Sequence, residues 1–328
     1  MDDRAKLIAN LKRTFSSIIP DKDPMESDRI KFLSSSILPL DWALGGGFPR
    51  GHITHIWGPD GGGKTTTMIP VVVSAQENPV INGLTLYIAN EPKIDEMMFY
   101  RFGVDPNKII FAKTRDAKNP LDGNKAMNMI REALGEVELI VVDSVAGLSP
   151  GIIYDMSSED YSIGKVAHLL SDQLPLIANI LAATDTAMIM LNQERASFEK
   201  YGMDTKPFAG YALAHWVSIR ARIRSHGYVK EGKTTVGFRP WITIEKNDFS
   251  APRKDAEWIM RFETGVDKVD ALFTFAKEIG VISYSNGWKL GDISLNYPDG
   301  KNEEDARSRV SAEPDLQDLI SAVAIPER

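Results

Sequence analysis

Between residues 50 and about 193 the chain alternates short apolar runs with stretches of helical periodicity. LTLYIAN, KIIFAKT, VELIVVDS and TAMIMLNQ are dominated by apolar runs, and HITHIW is an apolar alternation that also reads as a strand. Runs of that kind predict strands covered on both faces, and their alternation with helical segments predicts an α/β fold built on a mostly parallel sheet. After residue 216 the pattern changes. WVSIRARIRS, TTVGFRP and WITIEKN alternate apolar with polar positions, which predicts antiparallel strands with one wet face. In VSIRARIR, Val217, Ile219, Ala221 and Ile223 share one face and Arg220, Arg222 and Arg224 the other. The arginine face reads either as solvated or as a contact to a subunit or a phosphate.

Both ends differ from this middle. Residues 4–19 space Leu7, Leu11, Phe15 and Ile18 at helical intervals, and the linker IPDKDPMESD follows. The amphipathic helix needs a surface for its apolar stripe, on its own core or on a neighbouring subunit. From about residue 266 a helix, DKVDALFTFAKEIG, opens a smaller region that continues through VISYSNGWKLG to a polar tail with helical stretches. The expected organisation is an N-terminal helix and linker over 1–30, an α/β core over 31–265 and a small C-terminal domain over 266–328.

Composition narrows the functional classes. At 328 residues and 43% apolar, the chain suffices for one large core with a small domain beside it. No apolar run reaches the length of a membrane span, and the start MDDRAKLIANLKRTF has no signal-type apolar segment. Without cysteine there is no disulfide or thiolate chemistry, and a reducing cytoplasm is the expected compartment. A net charge of −7 gives no global basic signature, so any contact with nucleic acid must be local.

The candidate chemistry centres on GPDGGGKTT, Gly58 to Thr66, between a predicted strand and a predicted helix. In the pattern G-x-x-x-x-G-K-[ST], Gly58, Pro59, Asp60, Gly61, Gly62 and Gly63 form the loop, and its glycines let bare backbone N–H groups approach an anion. Lys64 can reach the β- and γ-phosphates, and Thr65 can bind Mg²⁺. This predicts a nucleoside triphosphate with Mg²⁺. VELIVVDS ends in Asp143, a carboxylate at the tip of a parallel strand, suited to orient Mg²⁺ through water. LYIANEPKID offers Glu91 past another tip, either as the base for an attacking water or as a plain helix N-terminal acid. MLNQER places Asn192 and Gln193 where an amide can sense the γ-phosphate. The segment ERASFEKYGMDTKPFAGYA after it lacks clear periodicity, and reads as a long loop. It mixes Arg195, Lys200 and Lys206 with Phe198, Tyr201 and Phe208, a composition that suits single-stranded nucleic acid or an ordinary surface loop.

At this point LPLDWALGGGFPRGHITHIWGPDGGGKTT, VELIVVDSVAGLSP, LNQER, IRARIRSHGYVKEGKTTVG and EKNDFSAPRKDAEW, in this order, resemble the bacterial RecA family of ATPases, whose core phage recombinases share. The resemblance covers roughly residues 5–290. It implies a recombinase that assembles as a helical filament on single-stranded DNA, binds ATP between adjacent subunits and pairs and exchanges strands with double-stranded DNA. It implies Lys64, Thr65 and Asp143 as the phosphate and Mg²⁺ residues, Glu91 as the catalytic carboxylate and Gln193 as the γ-phosphate switch into a second DNA loop. That loop would contact DNA through Arg195 and Phe198, to which its composition adds Lys200 and Lys206. A first DNA loop, GIIYDMSSEDYSIG, would place Ile163 between bases. Asp95 takes the position of an adenine-contacting aspartate. The N-terminal helix, with Leu7, Leu11 and Phe15, would dock on the next subunit.

This chain departs from the family in several places. The position of an adenine-stacking tyrosine holds Met98, with Phe262 at a second aromatic position near the base. His168 and Pro175 stand at basic positions in the helix after the first DNA loop. Of two lysines that reach a neighbour's γ-phosphate, Lys246 is kept and the second is Asp248. Asp248 is expected to pair with an arginine such as Arg253, to hold a second cation against the phosphate, or to mark a looser interface. The reading drawn from these residues is an ATP-dependent, filament-forming DNA recombinase. Its rivals are an accessory DNA-binding protein of the same fold with weak or no ATP hydrolysis and no strand exchange, and a ring-forming motor.

Overall fold

The structure is a computed structural model describing residues 30–91, 94–114, 119–149, 159–196, 205–298, 300 and 302–324. The chain divides into two units, Met1–Lys31 and Phe32–Arg328. The first lies almost wholly outside the described residues, and with it Leu7, Leu11 and Phe15.

The second unit opens with β1 (Phe32–Leu33), α1 (Leu38–Leu44) and β2 (Phe48–Pro49), β1 and β2 forming a small antiparallel pair. The core then runs β3 (Ile53–Gly58), α2 (Lys64–Glu77), β4 (Thr85–Ala89), α3 (Glu96–Arg101), β5 (Ile109–Ala112), α4 (Gly123–Ala133), β6 (Leu139–Asp143), α5 (Glu159–Leu181), β7 (Ala187–Ala196), β8 (Thr205–Pro207), α6 (Gly210–Ala214), β9 (Ile219–Glu231) and β10 (Thr234–Asn247). Short strands β11 (Asp255–Glu257), β12 (Met260–Arg261) and β13 (Gly265–Val266) complete it. The main sheet is ordered β13-β12-β10-β9-β3-β7-β6-β4-β5, parallel from β9 to β5 and antiparallel beyond β9.

The apolar runs are continuous because both sheet faces are covered. Tyr87, Ala89, Leu139 and Val141 belong to one core cluster, with Met68, Val72 and Phe99 from α2 and α3. Their alternates Leu86, Ile88, Ile140 and Val142 belong to another, with Met127, Leu170 and Leu174 from α4 and α5. A third cluster, around Phe273, Trp288 and Val310, holds the C-terminal elements. These are α7 (Lys268–Glu278), β14 (Ile282–Tyr284), β15 (Trp288–Leu290), β16 (Ile293–Ser294), α8 (Glu303–Ala312) and α9 (Pro314–Ala324).

Three expectations change. TTVGFRP and WITIEKN are one strand, β10, which passes through Pro240. A register irregularity between Phe238 and Pro240 accommodates the missing donor. The segment after Gln193 is not one irregular loop: β7 continues to Ala196, β8 returns antiparallel to it, and α6 follows, leaving only 197–204 outside the described residues. The arginine face of β9 is largely used inside the chain. Arg220 pairs with Glu245 at 2.8 Å, while Arg222 pairs with Glu194 and lies 4.4 Å from the Trp57 ring. Arg224 is exposed and has no ion pair among the described residues.

Two buried charges serve the fold at the opposite end of the sheet from the loop of residues 59–63. Glu138, just before β6, accepts N–H bonds from Val80, Ile81, Asn82 and Gly83 and pairs with Arg50. Burial alone would raise its pKa; those backbone donors and Arg50 outweigh it and lower it.

Candidate nucleotide site

Strand register assembles the site. Ala89 lies opposite Asp143, Asp143 opposite Leu191, and Gly58 opposite Gln193. The C-terminal tips of β4, β6, β7 and β3 therefore meet along one sheet edge, where open parallel sheets bind ligands.

From β3 the chain turns through residues 59–63 into α2. Two glycines are fixed there for different reasons. A Cβ on Gly58 would stand 1.9 Å from the Ile223 carbonyl oxygen, so β9 packs on bare backbone. Gly63 has φ +97°, in the left-handed region, and caps α2 without a side chain. The first N–H groups of the helix are thus left for an anion. Lys64 is 7% exposed and donates from Nζ to the carbonyls of Gly58 and Pro59, each at 2.9 Å. Burial lowers its pKa, against the charges of Asp60, Glu91, Asp143 and Glu194. Thr66 and Thr67 donate back to the Gly63 carbonyl and brace the turn.

Asp143 is fully buried. Its Oδ2 accepts from Thr65 Oγ1 at 2.8 Å and from Tyr87 Oη at 2.7 Å. Its Oδ1 is buried with no hydrogen-bond partner. Burial raises its pKa, against the bonds from Tyr87 and Thr65. A buried carboxylate oxygen with no donor, beside a threonine hydroxyl, fits a hydrated Mg²⁺, a hard cation that keeps its waters. Across the site, Gln193 Nε2 donates to Glu91 Oε1 at 2.9 Å.

Above the loop lies an open cleft of about 1030 Å³, lined on one side by Lys64, Thr65, Glu91 and Gln193. Tyr228, Phe238 and Phe262 line it as well. Phe262 is 46% exposed and stacks on Phe238 with centroids 6.2 Å apart. Tyr228 and Phe238 are cross-strand partners in the β9–β10 hairpin.

Not every expected residue is gathered here. Asp95 caps α3, its Oδ1 accepting from Met97 N at 2.9 Å. Met98 packs half-buried against the core and does not line the cleft. At the end of β10, Lys246 donates to the Val217 carbonyl at 2.7 Å and pairs with Asp248 at 3.3 Å. The acid expected to pair with Arg253 or hold a cation thus has a cationic partner two residues away. No group of three His, Asp or Glu able to hold a metal occurs among the described residues. Arg195 is exposed at the end of β7, opposite Lys206 and 5.9 Å from the Phe208 ring. His168 is exposed on α5, with Nδ1 2.8 Å from Asp172. Phe198 and Lys200 lie outside the described residues, as does the Ile163 side chain, though Ile163 falls within α5. Asn192, read as a second sensing amide, is buried on the other sheet face and donates to the Phe208 carbonyl at 2.6 Å. Tyr87, Tyr228 and Phe238 went unread, because their approach to the site depends on which strands pair.

An open, largely parallel sheet with a glycine-rich phosphate loop at its carboxyl edge, a strand-tip aspartate and a threonine facing it defines a P-loop nucleotide-binding fold. Within that class, the model of the RecA N-terminal domain matches residues 6–267, and the chain belongs to the RecA family. The RecA protein of Thermus thermophilus is 32% identical over 308 residues, covering 91% of this chain and 86% of its own. RecA of Helicobacter pylori is 29% identical over 302 residues, covering 90% and 83%. RecA of Syntrophus aciditrophicus is 29% identical over 323 residues, covering 96% and 91%.

Proposed function

We propose that this protein is an ATP-dependent DNA recombinase that forms helical filaments on single-stranded DNA and promotes homologous pairing and strand exchange. The observation that carries the reading is the hydrogen bond from Gln193 to Glu91. It joins the carboxylate beyond β4 to the strand that leads directly into residues 197–204, and so couples the nucleotide site to the segment read as DNA-binding.

ATP would be held by the backbone of residues 61–66, by Lys64 and by the aromatic wall of Phe238 and Phe262, with Mg²⁺ at Thr65 and, through water, at Asp143. The bound Mg²⁺ supplies charge neutralisation for the phosphates. Lys64 adds a positive charge from a buried position, where its interaction is stronger than in bulk water. Glu91 accepts the proton of the attacking water. Gln193 holds Glu91 until its amide turns to the γ-phosphate, which frees the carboxylate and shifts β7 and the segment beyond it. Lys246 would reach a neighbouring subunit's nucleotide by giving up its bond to Asp248. Binding of ATP thereby favours the DNA-bound state, and hydrolysis releases the DNA.

Two assays test this together: ATP turnover with and without single-stranded DNA, and exchange between a circular single strand and a homologous linear duplex. DNA-stimulated turnover with joint molecules is the expected result. DNA binding without joint molecules would favour the accessory reading.

A further inference from the structure

The hydroxyl of Tyr87 is not accounted for by packing. Tyr87 sits in β4, fully buried, its ring held by Phe99 and Phe111 at centroid distances of 5.0 and 5.4 Å. A phenylalanine would fill the same aromatic niche. The hydroxyl instead reaches across to β6 and donates to Asp143 Oδ2 at 2.7 Å. Thr65 Oγ1 donates to that same oxygen, and Oδ1 has no partner. Both protein donors therefore hold one oxygen of the carboxylate and leave the other without a donor.

Thr65 has two tasks. Its hydroxyl oxygen can ligate the metal while its proton stays on Asp143, so its bond to Asp143 is tied to the metal it would hold. Tyr87 has no second task. Its rotation is blocked by two aromatic neighbours, and among the described residues the only hydrogen bond of its hydroxyl goes to Asp143.

We propose that Tyr87 is a positioning residue for the divalent cation: its hydroxyl pins Asp143 Oδ2 independently of Thr65, so that Oδ1 is kept without a protein donor and available to a water of the metal that Thr65 ligates. The proposal rests on the reading of this cleft as an ATP–Mg²⁺ site. A buried carboxylate that loses this donor can rotate or recruit a water, and either change weakens its hold on the hydrated ion.

The test is a Mg²⁺ titration of the binding of a fluorescent ATP analogue to the full chain, wild type and Tyr87→Phe, with a parallel measurement in EDTA. Thermal melting in EDTA confirms that the variant is folded. In Tyr87→Phe the half-saturating Mg²⁺ concentration should rise about tenfold, the scale of one hydrogen bond to a charged group. Affinity in EDTA should not change. An unshifted Mg²⁺ midpoint overturns the proposal. Equal weakening with and without Mg²⁺ also overturns it, because it shows a packing role alone. A wild-type protein whose nucleotide binding ignores Mg²⁺ removes the reading of the site itself, and the proposal with it.

Discussion

In the proposed reaction Glu91 and Lys64 have different tasks, and their loss should look different. Glu91 is bonded only through Gln193 among the described side chains near it, so Glu91→Gln keeps the shape and removes the base. Turnover should fall ~10²–10⁴-fold while nucleotide affinity stays near wild type. Lys64→Ala removes the one ammonium seated in the loop, and binding itself should fail. Near wild-type turnover in Glu91→Gln would contradict the assignment, and steady-state turnover with equilibrium nucleotide binding reads both. The residues legible from sequence here are those whose type and spacing are locked together by local backbone chemistry. Gly58, Gly63, Lys64 and Thr65 are set by one turn. Asp143 is legible because it ends an apolar run. Tyr87 is not, since only the pairing of β4 with β6 shows that a residue two places before one strand tip faces the end of the next.

At the scale of elements, α1 carries a titratable group that the sequence reading passed over. Asp41 is buried in its first turn and accepts from Ser34 Oγ at 2.6 Å and Ser35 N at 2.7 Å. Burial, opposed by these bonds, raises its pKa from 3.8 to about 6. The folded protein therefore binds a proton more tightly than the unfolded chain does. The stability from this group is fully present below about pH 4 and is lost as pH rises toward 6. A shift of this size corresponds to something on the order of 3 kcal/mol. Urea unfolding from pH 4 to 7 should show a decline in wild type that is flatter in Asp41→Asn, which keeps an acceptor for Ser35. Parallel curves would show that Asp41 does not titrate between these limits. The parallel strands were legible as elements because burial on both faces leaves no polar alternation. β10 was read as two pieces because Pro240 resembles a terminator, and only the irregular register with β9 shows how the strand continues.

For the whole molecule, the −7 net charge means that DNA must be met by local groups. Arg195, exposed near the end of β7 just before residues 197–204, is the best placed of those named. Arg195→Ala should reduce the salt slope of single-strand binding by about one counterion, read by fluorescence anisotropy across a salt series. An unchanged slope would place the phosphate contacts elsewhere. The family and the core fold were legible because ordered motifs span most of the chain. The assembled state was not, because the sequence shows that the N-terminal amphipathic helix needs a surface without showing which one. The most direct test of the account is therefore electron microscopy of the full chain with single-stranded DNA, Mg²⁺ and a non-hydrolysable ATP analogue. The account predicts continuous helical filaments along the DNA that are absent without nucleotide. Closed rings, or isolated particles on DNA whatever the nucleotide, would contradict it.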